Sequence, residues 1–129
     1  MAIERLNPST VHTPAGYSHA VKVGGTVYVS GQVAVAPDGS LVGLDDAALQ
    51  VEQVYSNLKA VLTAAGASLR DVVKVTTFLT RPEDIPALRD ARERHLSDAP
   101  PASSMVVVSR LARPELLVEI EAVAVIGEG

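Results

Sequence analysis

The chain has 129 residues, 47% of them hydrophobic, a formal net charge of −4 and no cysteine. The length suits one domain over residues 1–129, with a core that association between copies can supplement. Absence of cysteine excludes a disulfide framework, a thiolate nucleophile and a cysteine-ligated zinc, and scattered cations with one Phe and no Trp offer no nucleic-acid footprint.

The opening residues, Met1-Ala2-Ile3-Glu4-Arg5-Leu6-Asn7-Pro8, lack the basic start and apolar run of a signal peptide, and no apolar stretch reaches bilayer-spanning length. A cytoplasmic protein with no membrane partner is expected. Ala20 to Val23 and Thr26 to Ser30 are β-branched runs separated by Gly24-Gly25, a hairpin signal. Pro37-Asp38-Gly39-Ser40 reads as a turn, since Pro presets the backbone and Gly accepts positive φ. From Asp46 to Ala65 the apolar residues recur at three- and four-residue steps, with Gly66 as the stop signal, which predicts a helix.

Val72 to Leu79 is rich in Val and Thr and predicts a strand. Thr80-Arg81-Pro82-Glu83 reads as a helix start, with Thr80 as cap, Pro82 in the first turn and Glu83 reaching back. The second helix follows from about Ile85 to Leu96, ahead of Pro100-Pro101. Ser104 to Ser109 and Leu116 to Val125 complete the set as strands joined by the 111–115 loop. The order β-β-α-β-α-β-β predicts an α+β protein, a mixed sheet with two helices on one face.

The last strand carries the feature most suggestive of chemistry. With period-2 alternation, Leu116, Val118, Ile120, Ala122 and Ala124 form a plain core face, while Leu117, Glu119, Glu121, Val123 and Val125 share the other. That second face is neither consistently polar nor consistently apolar, as expected of a cleft or interface. The alternative is a pair of carboxylates on a wet edge or in structural ion pairs. Runs such as Met105-Val106-Val107-Val108 leave the sheet face away from the helices in need of a cover, and self-association supplies the simplest one.

Tyr17, the segments Val27-Tyr28-Val29-Ser30-Gly31-Gln32 and Ala64-Ala65-Gly66-Ala67-Ser68-Leu69-Arg70-Asp71-Val72-Val73-Lys74, then Ser109-Arg110-Leu111 and Val118-Glu119-Ile120-Glu121-Ala122, together resemble the RidA/YjgF family. The resemblance spans almost the whole chain. It implies a chorismate-mutase-like α+β fold, a homotrimer with a barrel-like centre and clefts between subunits, and no cofactor. For active members it implies hydrolysis of reactive enamines or imines to ketoacids and ammonia, a metabolite detoxification.

Carried over residue by residue, the resemblance places Tyr17, Ser30 and Glu119 at the family's cleft tyrosine, serine and glutamate. It also marks departures. The arginine of the family's Pro-Ala-Arg-Ser segment, which holds a substrate carboxylate, is Ser103; the cysteine two residues on is Met105; a cleft asparagine of the second helix aligns with Arg89; and the 111–115 loop carries one extra residue. A serine supplies neither the charge nor the fork of a guanidinium. Losing one side of such a desolvated pair costs ~2 to 5 kcal/mol, roughly 30- to several-thousandfold in binding or rate. Arg89 is the replacement cation to test.

In a catalytic cleft, Glu119 is the expected activator of water, Ser30 and Ser103 are hydrogen-bonding groups, and Tyr17 forms a wall. From chemistry alone Ser30 reads equally as a strand-end hydroxyl bonded to backbone. Gly31 fits a bulge or a close backbone approach. His12, His19 and His95 have no metal-ligand spacing, and of the three His19, beside Tyr17, is the one expected near the cleft. Tyr28 and Tyr55 read as core or interface. Some relatives carry the label endoribonuclease, which this acidic chain does not favour. Whether the chain is an enzyme stays open between a hydrolase of an imine, enamine or related carbonyl compound and a non-catalytic trimer whose cleft binds a metabolite.

Overall fold

The computed structural model describes residues 2–127. Strands β1 (Ile3–Leu6), β2 (Ala20–Val23), β3 (Thr26–Gln32), β4 (Val72–Leu79), β5 (Ala102–Val107) and β6 (Val118–Val125) form one sheet in the order β1-β2-β3-β6-β4-β5. β4 and β5 are parallel and every other neighbouring pair is antiparallel. Helices α1 (Ala47–Ala64) and α2 (Ile85–Leu96) complete the α+β architecture read from the sequence. A parallel pair needs a long crossover, and α2 provides it between β4 and β5.

Local chemistry accounts for most of the boundaries. Gly24 adopts φ +59° in the tight β2–β3 turn, so Val23 lies opposite Thr26. The Asp46 carboxylate caps α1 by accepting the Leu49 amide at 3.1 Å. At the other end Gly66 turns left-handed at φ +79°, and the Ala67 amide donates to the Leu62 carbonyl at 2.8 Å. Between these caps Val51, Val54, Leu58, Val61 and Leu62 bury one stripe against Val27, Val29, Val75, Leu79, Val118 and Ile120 of the sheet.

The entry to α2 differs from expectation. Thr80 is not the cap and Glu83 does not reach back; Pro82–Asp84 forms a single 3₁₀ turn. Arg81 holds it, with Nε donating to Asp84 Oδ2 at 2.8 Å and Nη2 to Oδ1 at 3.3 Å. α2 then begins at Ile85. The sequence reading also missed β1. Its four residues are mostly exposed, Ile3 included, and it is held by pairing along β2 rather than by an apolar pattern. β5 starts two residues before the expected Ser104 because Ala102 already pairs with Lys74, and β6 starts two after Leu116.

Two buried amides on α1 shape the surroundings of the site. Gln50 donates from Nε2 to the carbonyls of Gly43 (3.1 Å) and Glu115 (2.9 Å), and its Oε1 accepts the Leu117 amide at 2.8 Å. Asn57 Nδ2 donates to the carbonyls of Val33 and Val35, each at 2.9 Å. One helix thereby anchors both the 33–43 segment and the 111–117 segment. On the face away from the helices, Tyr28, Val73, Val106 and Val125 stay 41–53% exposed.

Candidate functional site

β6 alternates as its sequence predicts. Val118, Ile120, Ala122 and Ala124 are buried, Glu119 is half-buried and Glu121 is exposed. Glu119 lies opposite Phe78 of β4 on one side. On the other, the β3 register shifts between Val29 and Gln32, so that the strand bulges at Ser30-Gly31. The Glu119 carboxyl occupies the space above Gly31 that any β-carbon there would need. Loops around residues 12–17, 33–39 and 112–116 rise beside it and enclose a cavity of about 520 Å³, whose polar lining includes His12, Tyr17, Asp38, Arg113 and Glu119.

The electrostatics follow from this half-enclosed position. Burial, and then the charge of Glu121, raise the Glu119 carboxyl above its ordinary value. Burial, and then the charge of Glu119, raise the Tyr17 phenol, which therefore stays protonated at neutral pH. Burial, and then His19, lower the His12 imidazole, which is therefore neutral there. Its Nε2 lies 3.2 Å from the Tyr17 hydroxyl. A weak base, an intact phenol and a neutral imidazole thus meet in one hollow.

Behind this wall stands a fully buried pair, His19 and Gln32. His19 Nε2 donates to the His12 carbonyl at 2.7 Å, leaving Nδ1 to accept from Gln32 Nε2 at 3.1 Å. The His19 ring packs edge-on against His12 and Tyr17, with centroids 4.8 and 5.7 Å away. His12, rather than the expected His19, is the histidine that lines the cavity. Its sequence context, five residues before Tyr17 and next to Thr13-Pro14, carried no signal of this.

The other residues singled out by sequence divide into two groups. Ser30 lies beside Gly31, its hydroxyl donating to the Ser18 carbonyl at 2.6 Å and its amide to the His19 carbonyl at 2.9 Å. Ser103 and Met105 lie instead on the edge strand β5, two strands from β6. Ser103 Oγ accepts from Arg92 Nη1 at 3.2 Å, and Met105 packs against the core. Arg89 is exposed on α2. Ser103, Met105 and Arg89 do not line the Glu119 cavity within one chain, whereas Tyr17, Gly31 and Glu119 do. Among the described residues no group of three or more His, Cys, Asp or Glu side chains is arranged to hold a metal ion, and no helix is long and apolar enough to cross a membrane.

Comparison with known proteins bears on this arrangement. Residues 8–126 match the family model described as Endoribonuclease L-PSP. A RutC family protein of Pyrococcus abyssi is 38% identical over 125 residues, covering 96% of this chain and 98% of its own. A protein of Dermatophagoides farinae named 2-iminobutanoate/2-iminopropanoate deaminase is 38% identical over 110 residues, 85% of each chain. The crystal structure of RidA from the Antarctic bacterium Psychrobacter superposes with a TM-score of 0.89 at 38% identity, covering 95% of this chain and 99% of that one. A sheet built in this order, matched from end to end by such relatives, makes the chain a member of the RidA/YjgF family with its chorismate-mutase-like α+β fold.

Proposed function

We propose that the chain hydrolyses a reactive imine, enamine or related small carbonyl metabolite, with Glu119 as the general base. The observation that carries this reading is the Glu119 carboxyl itself, half-buried and raised in a cavity beside a protonated Tyr17 and a neutral His12. A base is most effective when its pKa approaches the operating pH, and partial burial moves Glu119 in that direction. The deaminase name of the mite relative is consistent with this chemistry.

In the proposed reaction Glu119 takes a proton from water as its oxygen bonds to the imine carbon. The C=N π pair moves to nitrogen, which takes the proton that Glu119 has just received and leaves Glu119 ionised again. The resulting carbinolamine collapses to a carbonyl as the C–N bond breaks, the hydroxyl proton returns through Glu119, and ammonia leaves. Imine plus water gives carbonyl compound plus ammonia. Tyr17 donates a hydrogen bond to the substrate from the wall, Gly31 keeps the floor low enough for Glu119, and Ser30 holds the strand bend that carries both.

The β5 edge enters this reading through self-association. In a homotrimer of the kind the family resemblance implies, with clefts between subunits, Ser103, Met105 and Arg89 of one copy would stand at the cavity of the next. With Ser103 in place of an arginine, the cleft must hold its substrate by a non-standard group, and that group sets its specificity. Ammonia release from imines generated in situ tests the reading: turnover by the natural protein and none by Glu119→Gln is expected, and equal rates would remove Glu119 from the mechanism. The same Ser103 favours a second reading, a cleft that binds a metabolite without turning it over. Ligand-dependent thermal stabilisation with no ammonia released would select it.

A further inference from the structure

The Glu119 cavity is lined by an arginine that does not come from β5 or α2. Arg113, in the loop between β5 and β6, lines it together with Tyr17 and Glu119. The loop has no regular secondary structure, yet its backbone is pinned on both sides of this residue. Arg110 donates from Nε to the Leu111 carbonyl at 3.0 Å and from Nη2 to the Ala112 carbonyl at 3.1 Å. The Leu116 amide donates to the Arg113 carbonyl at 3.1 Å, and buried Gln50 holds the Glu115 carbonyl at 2.9 Å. A fixed backbone therefore carries this arginine beside the cavity.

The Arg113 guanidinium is also unspent. Its ion pair, to Glu115 Oε1, is at 4.0 Å with both side chains about half exposed, a contact of little energetic weight. Among the described residues Arg113 makes no ion pair with Asp38 or Glu119, which line the same cavity. Asp38 accepts from the Ser40 amide and hydroxyl at 2.9 and 2.6 Å, and His12 faces Tyr17. Within one chain the three α2 arginines lie elsewhere, Arg89 exposed to solvent, Arg92 on Ser103 and Arg94 between Glu52 and Asp90.

Resting on the hydrolase reading of the same cavity, we propose that Arg113 is the carboxylate-binding residue, holding the acid group of a small 2-imino or 2-oxo acid while the reacting carbon faces Glu119. The loss of arginine at position 103 then leaves the substrate class carboxylated and moves its anchor to the loop, where a fork can still engage both carboxylate oxygens.

Calorimetric titration with pyruvate and 2-oxobutanoate, and with butanone as the neutral counterpart, tests this without requiring turnover. The natural protein is expected to bind both acids. Arg113→Ala should weaken them about 10- to 100-fold while leaving butanone unchanged, and Arg113→Lys should fall between, keeping the charge but losing the fork. Arg92→Ala should match the natural protein. Equal binding by Arg113→Ala, loss of binding in Arg92→Ala instead, or no acid binding by the natural protein would each overturn the proposal. Arg113-dependent binding with no ammonia released from the matching imines would support the carboxylate site and sink the hydrolase reading.

Discussion

Glu119 is held in a state that a surface carboxylate does not share, and the consequence extends to stability as well as rate. Burial raises its folded pKa above the ordinary 4.5, so between the unfolded and folded values the native state binds more protons than the unfolded one. Stability from this group is therefore fully present below the unfolded pKa and is lost as pH rises through the folded pKa. Glu119→Gln, which stays neutral, should raise the melting temperature at pH 7, with the gain shrinking as pH falls toward 4.5. A constant gain across that range would show that the carboxylate is not strained. As a base Glu119 works only when ionised, so kcat/KM should rise with pH through its folded pKa and decline once Tyr17 ionises, above pH 10. Gly31→Ala is a second probe: its β-carbon meets a mobile side chain end rather than backbone, so the fold should survive while turnover drops. Full activity in that variant would mean that Glu119 can work from another rotamer.

The elements show where sequence is a sufficient guide. The β2–β3 hairpin, α1, β4 and α2 were legible because each carries its own period and its own stop signal, Gly24-Gly25 and Gly66 among them. β1 was not, since Ile-Glu-Arg-Leu has no pattern of its own and gains its conformation from β2. The start of α2 misled because an Arg81–Asp84 pair does the work expected of Thr80 and Glu83. Glu119, Tyr17 and Gly31 were legible as cavity residues, but His12 and Arg113 were not, for they reach it through loops fixed by distant side chains. Gln50 is the principal fixture: Gln50→Ala should leave one amide and two carbonyls without their partners and cost about 3 kcal/mol at roughly 1 kcal/mol per bond, measured by denaturant unfolding. A change under 1 kcal/mol would mean that water replaces all three.

At the scale of the molecule, the sheet face opposite the helices is the apolar surface left exposed in the single chain. Tyr28, Val73, Val106 and Val125 leave an apolar surface across β3, β4, β5 and β6. Cover by further copies is the arrangement that would also complete the cleft, so light scattering should report a particle three times the 13.5 kDa chain. Val106→Lys, placing a charge on that face, should dissociate the assembly and abolish turnover together. An active monomer would separate the cavity from assembly altogether. Gln50 adds a last consequence. The Leu117 amide lies outside every strand, yet its hydrogen bond ends on a side chain fully buried in α1. Its proton should exchange with deuterium only when that helix leaves the sheet, as slowly as the amides of the core strands. One wall of the cavity then opens no more often than the whole fold does.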